Sequence, residues 1–357
     1  MAIPLFASSL VPYQDAIAEK LREVAASGRY ILGPEVKAFE EEFAAWLGAA
    51  HCVGVGNGTD ALQIALRAAG VGPGDDVVMP SLTFYATAEA AANLGARPVF
   101  CDVDPTTYCV TTDTVERALT PKTKAIVPVH LFGNIAPVHL LRDFGLPVIE
   151  DAAQAAGSTW NGKHAGTLGH LATFSFFPSK NFACVGDGGA VITNDEELGA
   201  LARRLRFHGS VDKQTYTEIG WNSRLDAIQA GVLRVLLPEL DGWSDARRRA
   251  AAKYEQAGLG ECVQLPQATP GSEPAWHLYV VRHERADELI AGLNEAGFEA
   301  RGYYRVPVHR QPAMTEFGDV DLPGTEEVAR TNFAIPMGTG LQDDQVDQVV
   351  HKLQSLC

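Results

Sequence analysis

Residues 51–80, HCVGVGNGTDALQIALRAAGVGPGDDVVMP, contain the pattern that most clearly indicates the fold class. It contains a short apolar run over 51–55, a glycine-rich turn, a helical pattern over 60–69 and a second apolar run over 76–80. A strand, a helix and a strand in this order form a right-handed crossover between parallel strands. The segment therefore predicts the first unit of an α/β sheet.

The same alternation of apolar runs and helical patterns continues along the chain. A helical pattern over 83–94 follows, and the further predicted strands cover 97–103, 124–130, 146–151, 172–177 and 189–193. Repeated strand–helix alternation is typical of a mainly parallel sheet flanked by helices. We therefore predict an α/β fold with a seven-stranded sheet, whose ligands bind beyond the carboxyl ends of the strands.

The pattern changes near residue 240. A helical stretch over 245–257 precedes a Pro/Gly-rich segment, QLPQATPGSEP at 264–274, and a strand pattern over 276–283. We predict a large domain over 1–240 and a smaller α+β domain over 241–357. The sequence leaves open which of the two the N-terminal residues join.

Composition excludes several classes of protein. The chain has 357 residues, 46% of them hydrophobic, and a formal net charge of −15. Its only short basic run, Arg247 to Arg249, fits a solvated helix face, so no nucleic-acid partner is expected. No segment is apolar enough to span a bilayer, and no basic residue precedes the first apolar residues, so a cytoplasmic protein is expected.

The six cysteines are scattered without C-x-x-C spacing. Zinc ribbons and thioredoxin-type redox motifs are therefore disfavoured, and no His/carboxylate cluster has the spacing of a metal site. Reduced thiols are the expectation for a cytosolic protein.

A glycine-rich loop from Gly54 to Thr59 lies between a predicted strand and a predicted helix. Glycines let backbone N–H groups approach an anion, which a helix N-terminus attracts. The loop lacks the lysine of a P-loop and the spacing of a dinucleotide fingerprint. It predicts a cradle for some other phosphate; a glycine-rich turn with a helix cap is the alternative.

Two later strands end in residues that could carry chemistry. Asp151 ends the run Val148-Ile149-Glu150, with Gln154 just beyond, and Lys180 follows the aromatic strand over 172–177. The carboxylate could pair with a protonated ring nitrogen or simply cap a helix. Lys180 could act as a nucleophile only if its pKa is lowered; otherwise it is a solvated lysine.

The order of these signals is more specific than any one of them. A phosphate loop, an aromatic after a strand, an acid–glutamine pair, a serine and a lysine follow one another, and the stretches that carry the order are RYILGPEVKAFEEEFAAWLG, GNGTDALQIALRAAGVGPGDDVVMPSLTFYATAEA, GARPVFCDVDPTTY, TPKTKAIVPVHLFG, VIEDAAQAAG, FSFFPSKN, GDGGAVIT and GWNSRLDAIQA. Over residues 29–230 they resemble the DegT/DnrJ/EryC1/StrS aminotransferases. The resemblance implies a fold-type I pyridoxal-phosphate enzyme that aminates nucleotide-linked keto-sugars.

The resemblance also implies roles for individual residues. Lys180 matches the lysine that binds pyridoxal 5′-phosphate covalently and then moves a proton. Asp151 matches the acid that pairs with the pyridine nitrogen, and Gln154 the glutamine near the ring hydroxyl. Phe84 matches the aromatic that stacks on the ring.

Gly58, Thr59 and Ser175 match phosphate contacts. Asn222 matches an asparagine that reaches the cofactor phosphate of a neighbouring subunit, which implies a homodimer with shared active sites. Arg224 is a candidate for binding a carboxylate.

The match in the C-terminal region is thinner. Tyr304 and His309 lie in YRVPVHRQP, which resembles a family stretch written Y-P-x-P-x-H-x-Q-P, with Arg305 in place of the first proline. Tyr304 and His309 are therefore candidate sugar contacts, with a structural histidine as the alternative for His309.

We therefore expect transamination of a 3-keto-hexose linked to dTDP or UDP, with L-glutamate as amino donor and 2-oxoglutarate as product, in amino-sugar or polysaccharide (O-antigen) biosynthesis. Lys180 argues against the subgroup that carries histidine there and dehydrates its substrate. The alternatives are amination at C4, a nicotinamide-dependent sugar oxidoreductase, and a pyridoxal-binding regulator, for which no DNA-binding module is expected before residue 29.

Overall fold

The computed structural model describes residues 2–357. The α-helices are α1 (Gln14–Ser27), α2 (Pro34–Leu47), α3 (Gly58–Ala68), α4 (Ala86–Asn93), α5 (Thr112–Ala118), α6 (Val138–Leu141), α7 (Glu196–Leu205), α8 (Ala227–Leu236), α9 (Leu240–Gln256), α10 (Ala286–Glu295), α11 (Pro323–Thr331) and α12 (Asp343–Leu356). The β-strands are β1 (His51–Val55), β2 (Asp76–Pro80), β3 (Arg97–Cys101), β4 (Thr123–Ile126), β5 (Ile149–Asp151), β6 (Thr159–Trp160), β7 (Lys163–His164), β8 (Leu171–Ser175), β9 (Gly189–Thr193), β10 (Ser272–Glu273), β11 (Tyr279–Arg282) and β12 (Asn332–Ile335).

The central sheet has the strand order β3-β2-β4-β5-β8-β9-β1 within residues 2–357. Parallel bridges from Ile126 to Val148 and from Val129 to Asp151 join its two halves. Every neighbouring pair is parallel except the two that involve β9, which runs antiparallel to β8 and β1. The seven strands overlap the seven predicted runs, so the predicted mainly parallel sheet is confirmed.

The sheet topology brings the candidate residues to one edge. Asp151 ends β5 and Ser175 ends β8, two parallel neighbours in which Asp151 is registered with Thr173. Val55 ends β1, and after the two residues Gly56 and Asn57 the helix α3 begins at Gly58. The carboxyl ends of parallel strands form one edge, which is where ligands bind in such folds.

Helix α9 leads from the large sheet to a smaller unit. Strands β11 and β12 pair antiparallel. Helices α10 and α12 pack with them around an apolar cluster whose residues come from the range 250–353. Bridges from Ile3 to Phe298 and from Phe6 to Met337 attach the N-terminal segment to this unit. The boundary between 240 and 241 stays a prediction.

Among residues 2–357, no helix combines the length and the apolar character needed to cross a bilayer.

The cysteines differ from the expectation that all six are reduced. Cys262 and Cys357 are joined by a disulfide, with their Cα atoms 5.9 Å apart. The other four, Cys52, Cys101, Cys109 and Cys184, are buried free thiols. The disulfide fastens the residue after α12 to the turn after α9, a pairing across 95 residues that no local spacing in the sequence could indicate.

We expect Cys262→Ser to lower the stability of the oxidised protein by about 2–4 kcal/mol, because the bond limits the unfolded chain. Thermal melting of wild type and variant measures the difference. With a reductant present, both should melt at the same temperature. Six titratable thiols in denatured wild type that was never reduced would contradict the prediction.

Candidate active site

Lys180 lies in the turn that follows β8, where its amide donates to the carbonyl of Phe177 at 2.8 Å. Burial lowers the pKa of the Lys180 amine to about 8, and the charge of Asp151 partly opposes this shift. An amine with this pKa is neutral in a substantial fraction of molecules near pH 8. Lys180 therefore meets the requirement for a nucleophile that the sequence could not test.

Asp151 is buried at the carboxyl end of β5, with 5% of its surface exposed. Its Oδ2 accepts a hydrogen bond from Thr87 Oγ1 at 2.9 Å, and its Oδ1 accepts one from the Ala153 amide at 3.2 Å. Burial raises the pKa of the carboxyl, while these hydrogen bonds and the positive charge of Lys180 lower it. Asp151 is thus a carboxylate close enough to Lys180 to interact with its charge.

Gln154, three residues after Asp151, is hydrogen-bonded to an aromatic wall that Phe84, Phe132 and Tyr304 form. Its Nε2 donates to the Tyr304 hydroxyl at 2.9 Å, and its Oε1 accepts from the Phe132 amide at 2.7 Å. The rings of Phe132 and Tyr304 are stacked, with centroids 6.2 Å apart, and the Phe84 ring is 6.4 Å from Tyr304. The structure therefore brings Gln154, Tyr304 and Phe84 together, and adds Phe132, which the sequence analysis missed.

Phe84 is 58% exposed, unusual for a large aromatic side chain in a folded protein. Its ring is available to cover a flat ligand. Burial raises the pKa of the Tyr304 hydroxyl well above its usual range, so this group stays protonated and can donate a hydrogen bond.

The start of α3 forms an anion cradle. The Asn57 side chain caps the helix by accepting from the Asp60 amide at 2.8 Å. The amides of Gly58 and Thr59 precede it in the first turn, where backbone amides have no intrahelical partner. Gly58 approaches Ser175 so closely that an added Cβ would lie 2.8 Å from the Ser175 Cβ. Thr59 and Ser175 can add hydroxyl donors to an anion at this helix N-terminus.

Ser223 fastens the 222–224 segment to this cradle. Its Oγ accepts from the Gly56 amide at 2.9 Å and donates to Asp60 Oδ2 at 2.6 Å. Asn222 beside it is exposed, and the Arg224 guanidinium lies 5.8 Å from the Phe207 ring centroid. The sequence analysis missed Ser223, whose only signal was its position between two candidate residues.

His309 is buried rather than open to a ligand. Its Nδ1 is 2.6 Å from Ser81 Oγ, and its Nε2 is 3.1 Å from Glu326 Oε1. Both ring nitrogens are therefore engaged, which favours the structural alternative. A sugar contact by His309 stays a prediction.

A family model described as the DegT/DnrJ/EryC1/StrS aminotransferase family matches residues 13–354. A dTDP-3-amino-3,4,6-trideoxy-alpha-D-glucose transaminase from Streptomyces venezuelae is 44% identical, covering 95% of this chain and 94% of that protein. A UDP-N-acetyl-3-dehydro-alpha-D-glucosamine 3-aminotransferase from Acidithiobacillus ferrooxidans is 40% identical, covering 98% and 96%. A protein named pleiotropic regulatory protein from Geobacillus stearothermophilus is 45% identical, covering 93% and 92%.

Solved structures give the same result. S. venezuelae DesV in complex with a ketimine intermediate superposes with a TM-score of 0.95 at 40% identity, covering 99% of this chain and 98% of that one. Bacillus subtilis NtdA with bound cofactor PMP superposes with a TM-score of 0.89 at 30% identity, covering 98% and 83%.

Pyridoxal phosphate is the cofactor that these comparisons indicate, and the residues of this chain fit it. A buried amine of lowered pKa, a buried carboxylate, an exposed aromatic ring and a helix N-terminus with two hydroxyl groups match its aldehyde, ring nitrogen, ring face and phosphate in turn. The assignment of each residue to a part of the cofactor is our proposal.

We expect Gly58→Ala to weaken pyridoxal phosphate binding by about tenfold or more, because the added methyl group forces Gly58 and Ser175 apart at the cradle. Equilibrium titration of the visible absorption band measures the affinity. Gly242→Ala is the matched control, since a Cβ there meets open space. Equal affinities for both variants would contradict the prediction.

The pKa of Lys180 predicts how fast the cofactor is captured at each pH. Since the pKa is lowered to about 8, the rate should rise with pH up to about 8 and level off above it. Stopped-flow absorption after mixing cofactor-free protein with pyridoxal phosphate measures this rate. Lys180→Ala should show no covalent phase. A rate that keeps rising to the pH of an ordinary lysine would refute the lowered pKa.

Proposed function

We propose, on the premise that this chain belongs to the DegT/DnrJ/EryC1/StrS aminotransferase family, that it aminates the 3-keto group of a dTDP- or UDP-linked hexose with L-glutamate as donor. The observation that carries the chemistry is the buried pair of Lys180, with its lowered pKa, and Asp151. The sugar class is supported by relatives named for dTDP-3-amino and UDP-3-dehydro sugars. The product would enter amino-sugar or polysaccharide biosynthesis.

Proton transfer is the task of Lys180. When bound, pyridoxal phosphate acts as an electron sink for charge that develops at the donor's α-carbon. The neutral Nζ of Lys180 takes the α-proton of the donor and then gives a proton back to a neighbouring atom of the bound reactants. A pKa of about 8 allows this nitrogen both to take up and to release a proton near neutral pH. In the second half of the cycle the same nitrogen moves protons in the reverse order.

Asp151 and the aromatic wall orient what Lys180 acts on. The Asp151 carboxylate offers a negative charge in a buried position, suited to keep a ring nitrogen protonated. Gln154 fixes Tyr304 through the 2.9 Å hydrogen bond, so the Tyr304 hydroxyl is held at the edge of the site. Phe84 and Tyr304 then exclude water from the reacting atoms and present a surface for the sugar.

A second copy of the chain would complete the site. Asn222 is exposed beside the cradle, although the family pattern gives it a phosphate contact. The exposed large apolar side chains other than Phe84 include Tyr30, Ile31, Phe177, Val185, Val211, Tyr216 and Ile219. Exposed apolar surface of this kind marks interaction sites, and a homodimer would bury it while delivering each Asn222 to the partner's cradle.

The alternative functions are not equally well supported. A nicotinamide-dependent oxidoreductase is set aside, because the family and its structures point to pyridoxal phosphate. Amination at C4 is the nearest competitor. A regulatory role is the second candidate, favoured by the name of the G. stearothermophilus relative. The cytoplasmic location stays a prediction.

We expect L-glutamate to convert the visible cofactor band of the wild type to the band of the aminated cofactor, and Lys180→Ala to block this conversion. Subsequent addition of dTDP- and UDP-linked 3-keto- and 4-keto-hexoses should restore the band only with the 3-keto compounds. Absorption spectra and mass spectrometry of the amino-sugar product measure both halves. Restoration by the 4-keto sugars alone would assign C4 instead. No response to any donor would favour the regulatory role.

Shared sites predict complementation between two inactive variants. In a hybrid of Lys180→Ala and Asn222→Ala chains, one site combines both defects and the other combines two native residues. The hybrid should therefore recover about half of the wild-type activity per dimer. Co-expression with two affinity tags isolates it. Activity no higher than that of the two parent variants would exclude a shared site.

A further inference from the structure

We propose that Thr87, supported by Thr83, is a positioning residue that holds the Asp151 carboxylate toward the cofactor's ring nitrogen. The inference deepens the proposed function, since it rests on the role of Asp151 there. Neither threonine was singled out in the sequence, and neither is among the site residues that the family resemblance implies.

The three side chains form a buried hydrogen-bonded series. The Thr83 and Thr87 hydroxyls are 3.0 Å apart, and Thr87 Oγ1 donates to Asp151 Oδ2 at 2.9 Å. Because the Thr87 hydroxyl donates its one hydrogen bond to the carboxylate, its oxygen can accept a hydrogen bond from the Thr83 hydroxyl. Both threonines are buried, at 2% and 1% exposure, so water does not compete for these bonds.

The series answers a specific electrostatic problem. Burial disfavours the charged form of Asp151, yet only a charged carboxylate stabilises a protonated ring nitrogen. A hydroxyl donor to Oδ2 favours the charged form, and a second hydroxyl behind it strengthens the first bond by polarising it. The Ala153 amide likewise favours the charged form by donating to Oδ1. Since each carboxylate oxygen can accept more than one hydrogen bond, both can still accept one from a ligand.

The series also connects two functional residues that are far apart in sequence. Thr83 directly precedes Phe84, and Thr87 lies in the first turn of α4, where its amide donates to the Phe84 carbonyl at 3.2 Å. One short segment therefore carries both Phe84 and the hydroxyl that binds the acid. Helix capping alone would not require either hydroxyl, because Tyr85 is the N-cap residue and makes no side-chain capping bond.

The test compares two ligands in one set of variants. Thr87→Val keeps the shape of the side chain but removes the hydroxyl, and Thr87→Ser restores it. The probes are pyridoxal phosphate and its analogue in which the ring nitrogen is replaced by C–H. We expect Thr87→Val to bind pyridoxal phosphate about tenfold more weakly, Thr87→Ser to bind nearly as the wild type does, and all three to bind the analogue equally.

Thr83→Val should give a smaller loss in the same direction, and it keeps the proposal testable if Thr87→Val fails to fold. Thr325→Val is the matched control, because the buried Thr325 hydroxyl lacks a hydrogen-bond partner among residues 2–357. Equal losses for both ligands would show a merely structural role and overturn the proposal. So would no loss in Thr87→Val while Asp151→Asn loses affinity. No loss in Asp151→Asn would instead refute the role assigned to Asp151.

Discussion

The site depends on two buried groups that need opposite protonation behaviour. The amine of Lys180 must be able to lose its proton, and the carboxyl of Asp151 must be charged. Burial favours the neutral form of both Lys180 and Asp151, while each charge favours the charge of the other. Hydrogen bonds break this symmetry. Asp151 accepts from Thr87 and from Ala153, whereas the pKa of the Lys180 amine is shifted by burial and, in the opposite direction, by the charge of Asp151. These hydrogen bonds favour the charged carboxylate and oppose the upward pKa shift that burial causes, while burial lowers the pKa of the amine to about 8.

This arrangement is built by the sheet, and its strands were predictable. The apolar runs that end at Asp151 and before Lys180 are local patterns, and the parallel crossover rule brings their carboxyl ends to one edge. The same rule places Gly58 beside Ser175, because α3 follows a strand of the same sheet. Residue order along the chain was thus sufficient to predict the strands, while the roles of Lys180, Asp151 and the phosphate cradle came from the family resemblance and stay predictions.

What the sequence did not reveal are contacts between segments that are distant along the chain. Thr87 and Asp151 are 64 residues apart, and Ser223 and Gly56 are 167 apart. A threonine in a helix or a serine in a loop has many ordinary uses, so its local pattern carries no information about such a partner. The disulfide of Cys262 was missed for the same reason, and the sequence left open whether His309 is a sugar contact or a structural histidine, since each depends on how the smaller unit packs.

The two sides of the site therefore differ in how they are supported. Asp151 and Ser175 lie on strands of the central sheet, and the chemistry common to the family needs this rigid geometry. Tyr304 and Asn222 lie on connecting segments, which are held by hydrogen bonds of Gln154 to Tyr304 and of Ser223 to Gly56 and Asp60. Such segments can change in sequence without moving the reacting atoms. The relatives are named for dTDP- and UDP-linked sugars, and connecting segments of this kind are where sequence differences between relatives can be accommodated.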